Sequence, residues 1–326
     1  MARAARERSE QELDIMGALA ATDAWRFQFH PEVWLMVAAI VGLGFYVVRV
    51  VAPAAGPAGP EGGTDAVTGR QRLCFVAGVA LLWVSADWPM HDIAEEYLYS
   101  VHMVQHLLIS FVVPPLLLMA VPEWLARLIL VDGSRSAKVI RRLVHPLVAG
   151  VAFNALQALM HWNTVVELSV RSGPFHYAMH LLMFASALAM WTPVVGPLRE
   201  LHLSEPMKMV YLFTMSIIPT VPAAWLTFAE GAVYPVYDHA QRLFGISVAA
   251  DQQAAGAIMK VLGGLYLWTL IAIRFFRFSA AQRHADAEER RRRLAADTLT
   301  TADVEAEFER LGDCSEPADS TAQRDY

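Results

Sequence analysis

Seven stretches of the sequence are long, apolar and nearly free of charge: residues 33–51, 73–88, 99–121, 146–162, 176–195, 207–228 and 254–276. A bilayer core about 30 Å thick asks for roughly 20 apolar residues in a helix, and an isolated strand cannot satisfy its backbone in lipid. The expected fold is therefore an all-α integral membrane protein, a bundle of about seven transmembrane helices. The second and fourth stretches are short and are expected to tilt little or to end in thinned bilayer. Composition agrees, since 56% of the chain is hydrophobic and only 18% charged, against about a quarter charged in soluble domains.

Three regions follow: an N-terminal arm (1–32), a transmembrane helical domain (33–278) and a charged tail (279–326). In the arm, Arg3, Arg6 and Arg8 precede Glu10, Glu12 and Asp14 with no continuous apolar core, so no cleavable signal is expected. Residues 52–69 are rich in Pro and Gly and read as a flexible loop. The tail sets Arg290, Arg291, Arg292 and Arg293 beside Glu288 and Glu289. It reads as a solvated helix with a partly disordered end, a basic patch for anionic lipid being the alternative. Net charge is −6 but unevenly placed, and no nucleic-acid partner is implied. Cys74 lies inside an apolar stretch and Cys314 in the tail, which excludes a disulfide framework and a CxxC metal site.

Short loops rich in Lys and Arg favour the cytoplasmic side. One set of loops and span ends holds Arg49, Arg70, Arg72, Arg127, Arg135, Lys138, Arg141, Arg142, Arg199, Lys208, Arg274 and Arg277. The opposite set holds only Arg171 and Arg242, beside Asp92, Glu95, Glu96, Glu167, Glu230 and Asp238. The N-terminus is thus expected outside and the C-terminus in the cytoplasm, against the arm's own Arg3, Arg6, Arg8 and Arg26. Pro114, Pro115, Pro193, Pro219 and Pro222 each remove an amide donor inside a span, and kinks are expected there.

Five of the eleven histidines lie at the outer ends of spans: His102, His106, His161, His176 and His180. Two pairs are four apart, the spacing that stacks imidazoles on one helix face within reach of one ion. Ionisable residues in a membrane are costly and usually face a protein interior, so one shared layer points to function. Met103 joins the first pair, and Met179 and Met183 the second, at helical spacing. Mixed imidazole and thioether ligands suit copper, Cu(I) above all, although Met is also an ordinary core filler. Asn154 and Gln157 share a face with His161 and read as interhelical hydrogen bonders. His91, Asp87 and Asp251 flank the layer as candidates to orient its ligands. Lys260 reads as a snorkelling or hydrogen-bonded lysine rather than a retinal attachment, since no carboxylate counter-ion lies at its depth. HxxxH pairs also serve membrane di-iron oxygenases and b-type haem or quinone redox proteins. A membrane metalloenzyme, a haem or redox protein and a structural scaffold therefore stand beside copper handling.

Residues 97–118 (YLYSVHMVQHLLISFVVPPLLL), 161–197 (from HWNTVVEL to MWTPVVGP), 234–240 (YPVYDHA) and 251–259 (DQQAAGAIM) resemble the multi-span CtaG-type cytochrome c oxidase assembly factors of bacteria. The likeness covers about 70–278 and departs at Asn163, where proline is usual, and at Lys260, where a large apolar residue is common. It implies a non-enzymatic assembly factor of the bacterial cell membrane that supplies copper to a cytochrome c oxidase subunit within the lipid bilayer, with a copper chaperone as a further partner. The motif histidines correspond to His102, His106, His161, His176 and His180, and the acidic motif position to Asp251.

Overall fold

The computed structural model describes residues 24–54, 66–238, 243–297 and 300–313. Arg3, Arg6, Arg8, Arg242, Cys314, the centre of the Pro/Gly loop and the end of the tail lie outside the described residues. All regular structure among the described residues is helical.

Helix α1 runs Pro31–Val51. Pro31 sits in its first turn, where the missing N–H would be unpaired anyway. Between Pro31 and Tyr46 it buries Val33 alone, as suits a helix that lipid surrounds. Helix α2 (Gly69–Ala86) starts on a capping box, in which Thr68 Oγ1 accepts from the Gln71 amide at 3.3 Å and Gln71 Oε1 accepts from the Thr68 amide at 2.9 Å. Short α3 (Met90–Glu96) follows. Helix α4 (Tyr99–Ala120) contains a π turn at Leu108–Val112. Pro114 there cannot bond the Ser110 carbonyl, and the Trp191 indole N–H takes it at 2.9 Å.

Helices α5 (Glu123–Ile129) and α6 (Arg135–Leu143) precede α7 (Pro146–Met160). Next come α8 (Asn163–Arg171) and α9 (Gly173–Val195), which runs unbroken through Pro193. Helices α10 (Glu205–Ile217) and α11 (Thr220–Thr227) are one stretch interrupted at Ile218 and Pro219. Pro222 stays inside α11, in its first turn, where amide donors have no helical partner. Helix α12 covers Val248–Asp297 and α13 covers Thr301–Asp313.

Among the described residues, six helical stretches are long and apolar enough to cross a membrane: Pro31–Val51, Gly69–Glu96, Tyr99–Ala120, Gly173–Val195, Glu205–Thr227 and Val248–Ala295. The count reaches seven if α6 and α7, bent by 65°, form one span. The fourth of the expected stretches, residues 146–162, is the difference. Pro146 starts α7 afresh, and its 15 residues reach only roughly 22 Å at 1.5 Å each. The chain is a multi-pass membrane protein. Its dry core gathers Phe111, Phe153, Met183, Trp191, Leu212 and Leu267 from five helices. The described residues from 273 onward, 273–297 and 300–313, fall in a separate unit, in which Arg293 pairs with Glu289 and Arg310 with Glu307 on exposed surface.

Candidate metal centre

The N-terminal turn of α4 presents His102 and His106 one above the other. Its N-cap, Leu98, has no side chain that can accept from the first amides. Asp251, in the first turn of α12, does so instead. One carboxylate oxygen accepts from the Tyr99 amide at 2.6 Å and the other from the Ser100 amide at 3.1 Å. A carboxylate is well placed there, because the helix N-terminus carries partial positive charge. Across from it, the first turns of α9 present His176 and His180, and the end of α7 presents His161.

These side chains meet. Ring centroids lie 4.4 Å apart for His102 and His106, 4.3 Å for His176 and His180, and 4.9 Å for His106 and His180. One ligand atom each from His102, His106 and His180 fall within 4.8 Å of one another. They line a cavity of about 30 Å³ together with His161, His176, Met103, Met160, Met179, Ser169 and Tyr237, enough for an ion with a water or two.

Hydrogen bonds fix which nitrogens remain free. His161 Nδ1 donates to the Gln157 carbonyl at 2.7 Å, so its Nε2 carries the lone pair. His102 Nδ1 donates to Glu95 Oε1 at 2.9 Å, and His176 Nδ1 meets Ser169 Oγ at 2.9 Å. The Nε2 atoms of His106, His161 and His180 are buried without a hydrogen-bond partner, as is that of His176 apart from its ion-pair contact with Glu95 Oε1 at 3.1 Å. An orphaned nitrogen in a dry site costs free energy unless something binds it. Three around one cavity suit a ligand that accepts lone pairs, which is what a metal ion does.

The DQQAAG stretch at the start of α12 acts as scaffold. Gln252 Oε1 accepts from the Val233 and Tyr234 amides at 2.7 and 3.1 Å, and its Nε2 donates to the Tyr234 carbonyl at 3.0 Å. Tyr234 O–H then donates to the His161 carbonyl at 2.8 Å. Tyr237 and Tyr234 pack at a tilt against Tyr99, whose ring lies nearly parallel to His102. Burial pushes the Tyr234 and Tyr237 phenols well above their ordinary range, so both stay neutral beside the site.

A sequence model of the cytochrome c oxidase caa3 assembly factor (Caa3_CtaG) family matches residues 44–281. The chain belongs to this family. No curated protein and no solved structure matches it.

In this assembly factor the family match takes in the whole histidine layer and stops short of the described N-terminal residues 24–43. His102, His106, His161, His176, His180, Met103 and Met179 all line the one cavity. Met183 does not: it is buried in the apolar core with Phe111, Phe153 and Met190. Asp251 holds the α4 backbone rather than an imidazole. Asp87 accepts from the Trp83 indole at 2.8 Å and closes the end of α2. His91 Nδ1 is 3.2 Å from Gln105 Nε2, and its ring leans on His176. Lys260 donates to Thr220 Oγ1 at 2.6 Å, away from the cavity. Glu95 is the residue that the sequence reading left among loop acids. It reaches His102 at 2.9 Å and His176 at 3.1 Å. The sign of it was there, since Glu95 follows His91 by four residues, one helical turn.

Proposed function

We propose that this assembly factor binds copper, Cu(I) in preference, in the histidine cavity and hands it to a cytochrome c oxidase subunit. The supporting observation is the set of buried, partnerless Nε2 atoms of His106, His161 and His180 around a cavity that Met103 and Met179 also line. Neutral imidazole and thioether are the ligands that Cu(I) prefers. The ion is cargo, received from a copper chaperone, and no catalysis is required. Met183 enters the ligand set only through a rearrangement of the core, so Met103 and Met179 are the thioethers of this reading.

The distribution of Lys and Arg supports a cytoplasmic C-terminus and a cavity that opens to the outside of a bacterial cell membrane. That is the side on which the His layer, Glu167 and Glu230 fall in this arrangement. Metal analysis of purified protein after Cu(I) loading tests the assignment. Wild type should retain copper, and the His106→Ala, His180→Ala double variant should lose most of it. Acidification should release copper from wild type, because protonated imidazoles cannot ligate. Equal copper in both proteins would defeat the ligand set.

A further inference from the structure

His180 belongs to two three-residue sets. One is His102, His106 and His180, and the other is Glu95, His176 and His180, again with a ligand atom from each within 4.8 Å of the others. The two sets differ in charge and hardness. The first offers only neutral imidazoles beside Met103 and Met179. The second adds a carboxylate, held on α3 with 20% of its side chain exposed. A monovalent ion brings one charge to ligands that carry none, whereas a divalent ion there would bring two with no carboxylate bound to it directly. Glu95 cancels one of those two, and oxygen with two imidazoles is a set that borderline divalent ions accept.

We propose that Glu95, His176 and His180 form a second metal position, selective for a divalent first-row ion, whose occupancy excludes Cu(I) from the neighbouring cavity. The exclusion rests on His180, which both sets share and whose buried Nε2 has no hydrogen-bond partner. Glu95 also explains how the position is kept ready. Its Oε1 lies 2.9 Å from His102 Nδ1 and 3.1 Å from His176 Nε2, so a divalent ion would replace contacts that already converge there. The consequence is regulation, with a divalent ion at the rim gating the copper cavity. This rests on the copper reading for its second half and on Glu95 geometry alone for its first.

The test uses the full-length purified protein, with Co(II) as the divalent probe followed by its visible absorption and Cu(I) supplied under reductant. Wild type should bind Co(II), and Glu95→Gln should weaken that binding by about tenfold or more. Its Cu(I) affinity should change far less, because glutamine still offers an oxygen to His102 Nδ1. Glu95→Asp, which keeps the charge, should recover part of the Co(II) affinity. His106→Ala should do the reverse of Glu95→Gln, sparing Co(II) and losing Cu(I). Prior loading with Cu(I) should suppress the Co(II) spectrum. Unchanged Co(II) binding in Glu95→Gln overturns the second position, and full simultaneous binding of both ions overturns the shared ligand. A wild type that binds Co(II) through Glu95 but no Cu(I) keeps the second position and removes only the copper reading. Matched melting curves for the Gln and Asp variants guard against a folding artefact.

Discussion

At Asp251 a single carboxylate satisfies two main-chain amides on another helix, and it is only 5% exposed. Truncation to alanine strands both donors in a dry setting, a loss of about 1–3 kcal/mol. Asp251→Ala should therefore lower the melting temperature in detergent and weaken copper retention, although the residue touches no imidazole. A variant with unchanged melting and copper content would show that the α4 turn holds itself. The same residue shows what side-chain spacing can and cannot reveal. The repeat of four residues announces His102 with His106 and His176 with His180, because helical geometry alone stacks them. It does not say that Asp251 seeks amides, since nothing local to α12 records where α4 begins. Met183 keeps the helical spacing of His176, Met179 and His180, but it sits one turn further in, where the neighbours are Phe153 and Trp191 rather than imidazoles. Depth along the helix separates cavity lining from core filler, and depth depends on the packing of other elements.

Close approach between elements is concentrated at Gly256. A Cβ there would stand 2.6 Å from the Ala223 carbonyl oxygen and 2.8 Å from the Thr227 amide nitrogen, both main-chain atoms of α11 that cannot swing aside. Gly256→Ala should push α12 off α11 and destabilise by about 1–3 kcal/mol, read as an earlier detergent melt. Gly264→Ala, which meets nothing within 4 Å, serves as the matched control. Equal melts would mean that the two helices part without penalty. Element existence was plain in the sequence, because length and apolarity suffice for it. The interruptions were less so. Pro114 and Pro219 coincide with a π turn and a break, whereas Pro193 sits in a helix that continues to its natural end two residues later. A proline removes one hydrogen bond in each case, and whether the helix yields depends on what else takes the freed carbonyl, as Trp191 does for Ser110.

For the molecule as a whole, the proposed orientation, which the charge asymmetry favours, puts the His layer at the outer face. Single cysteines at Glu230 and Asp132, both exposed, sample the two ends of the bundle. In a background lacking Cys74 and Cys314, a membrane-impermeant maleimide applied to intact cells should label Glu230→Cys and spare Asp132→Cys. The opposite pattern would turn the cavity toward the cytoplasm and end the proposed delivery to an outer site. The capping of α4 by Asp251 bears also on how the protein is made. Chains emerge N-terminus first, so every imidazole of the cavity has left the ribosome before Asp251 and Gln252 appear. Until then the first turn of α4 has no acceptor for its leading amides, and the tyrosine that steadies His161 has no anchor. A nascent chain therefore carries the cavity's imidazoles without their frame, and the pocket becomes whole only when synthesis of the membrane part is nearly done.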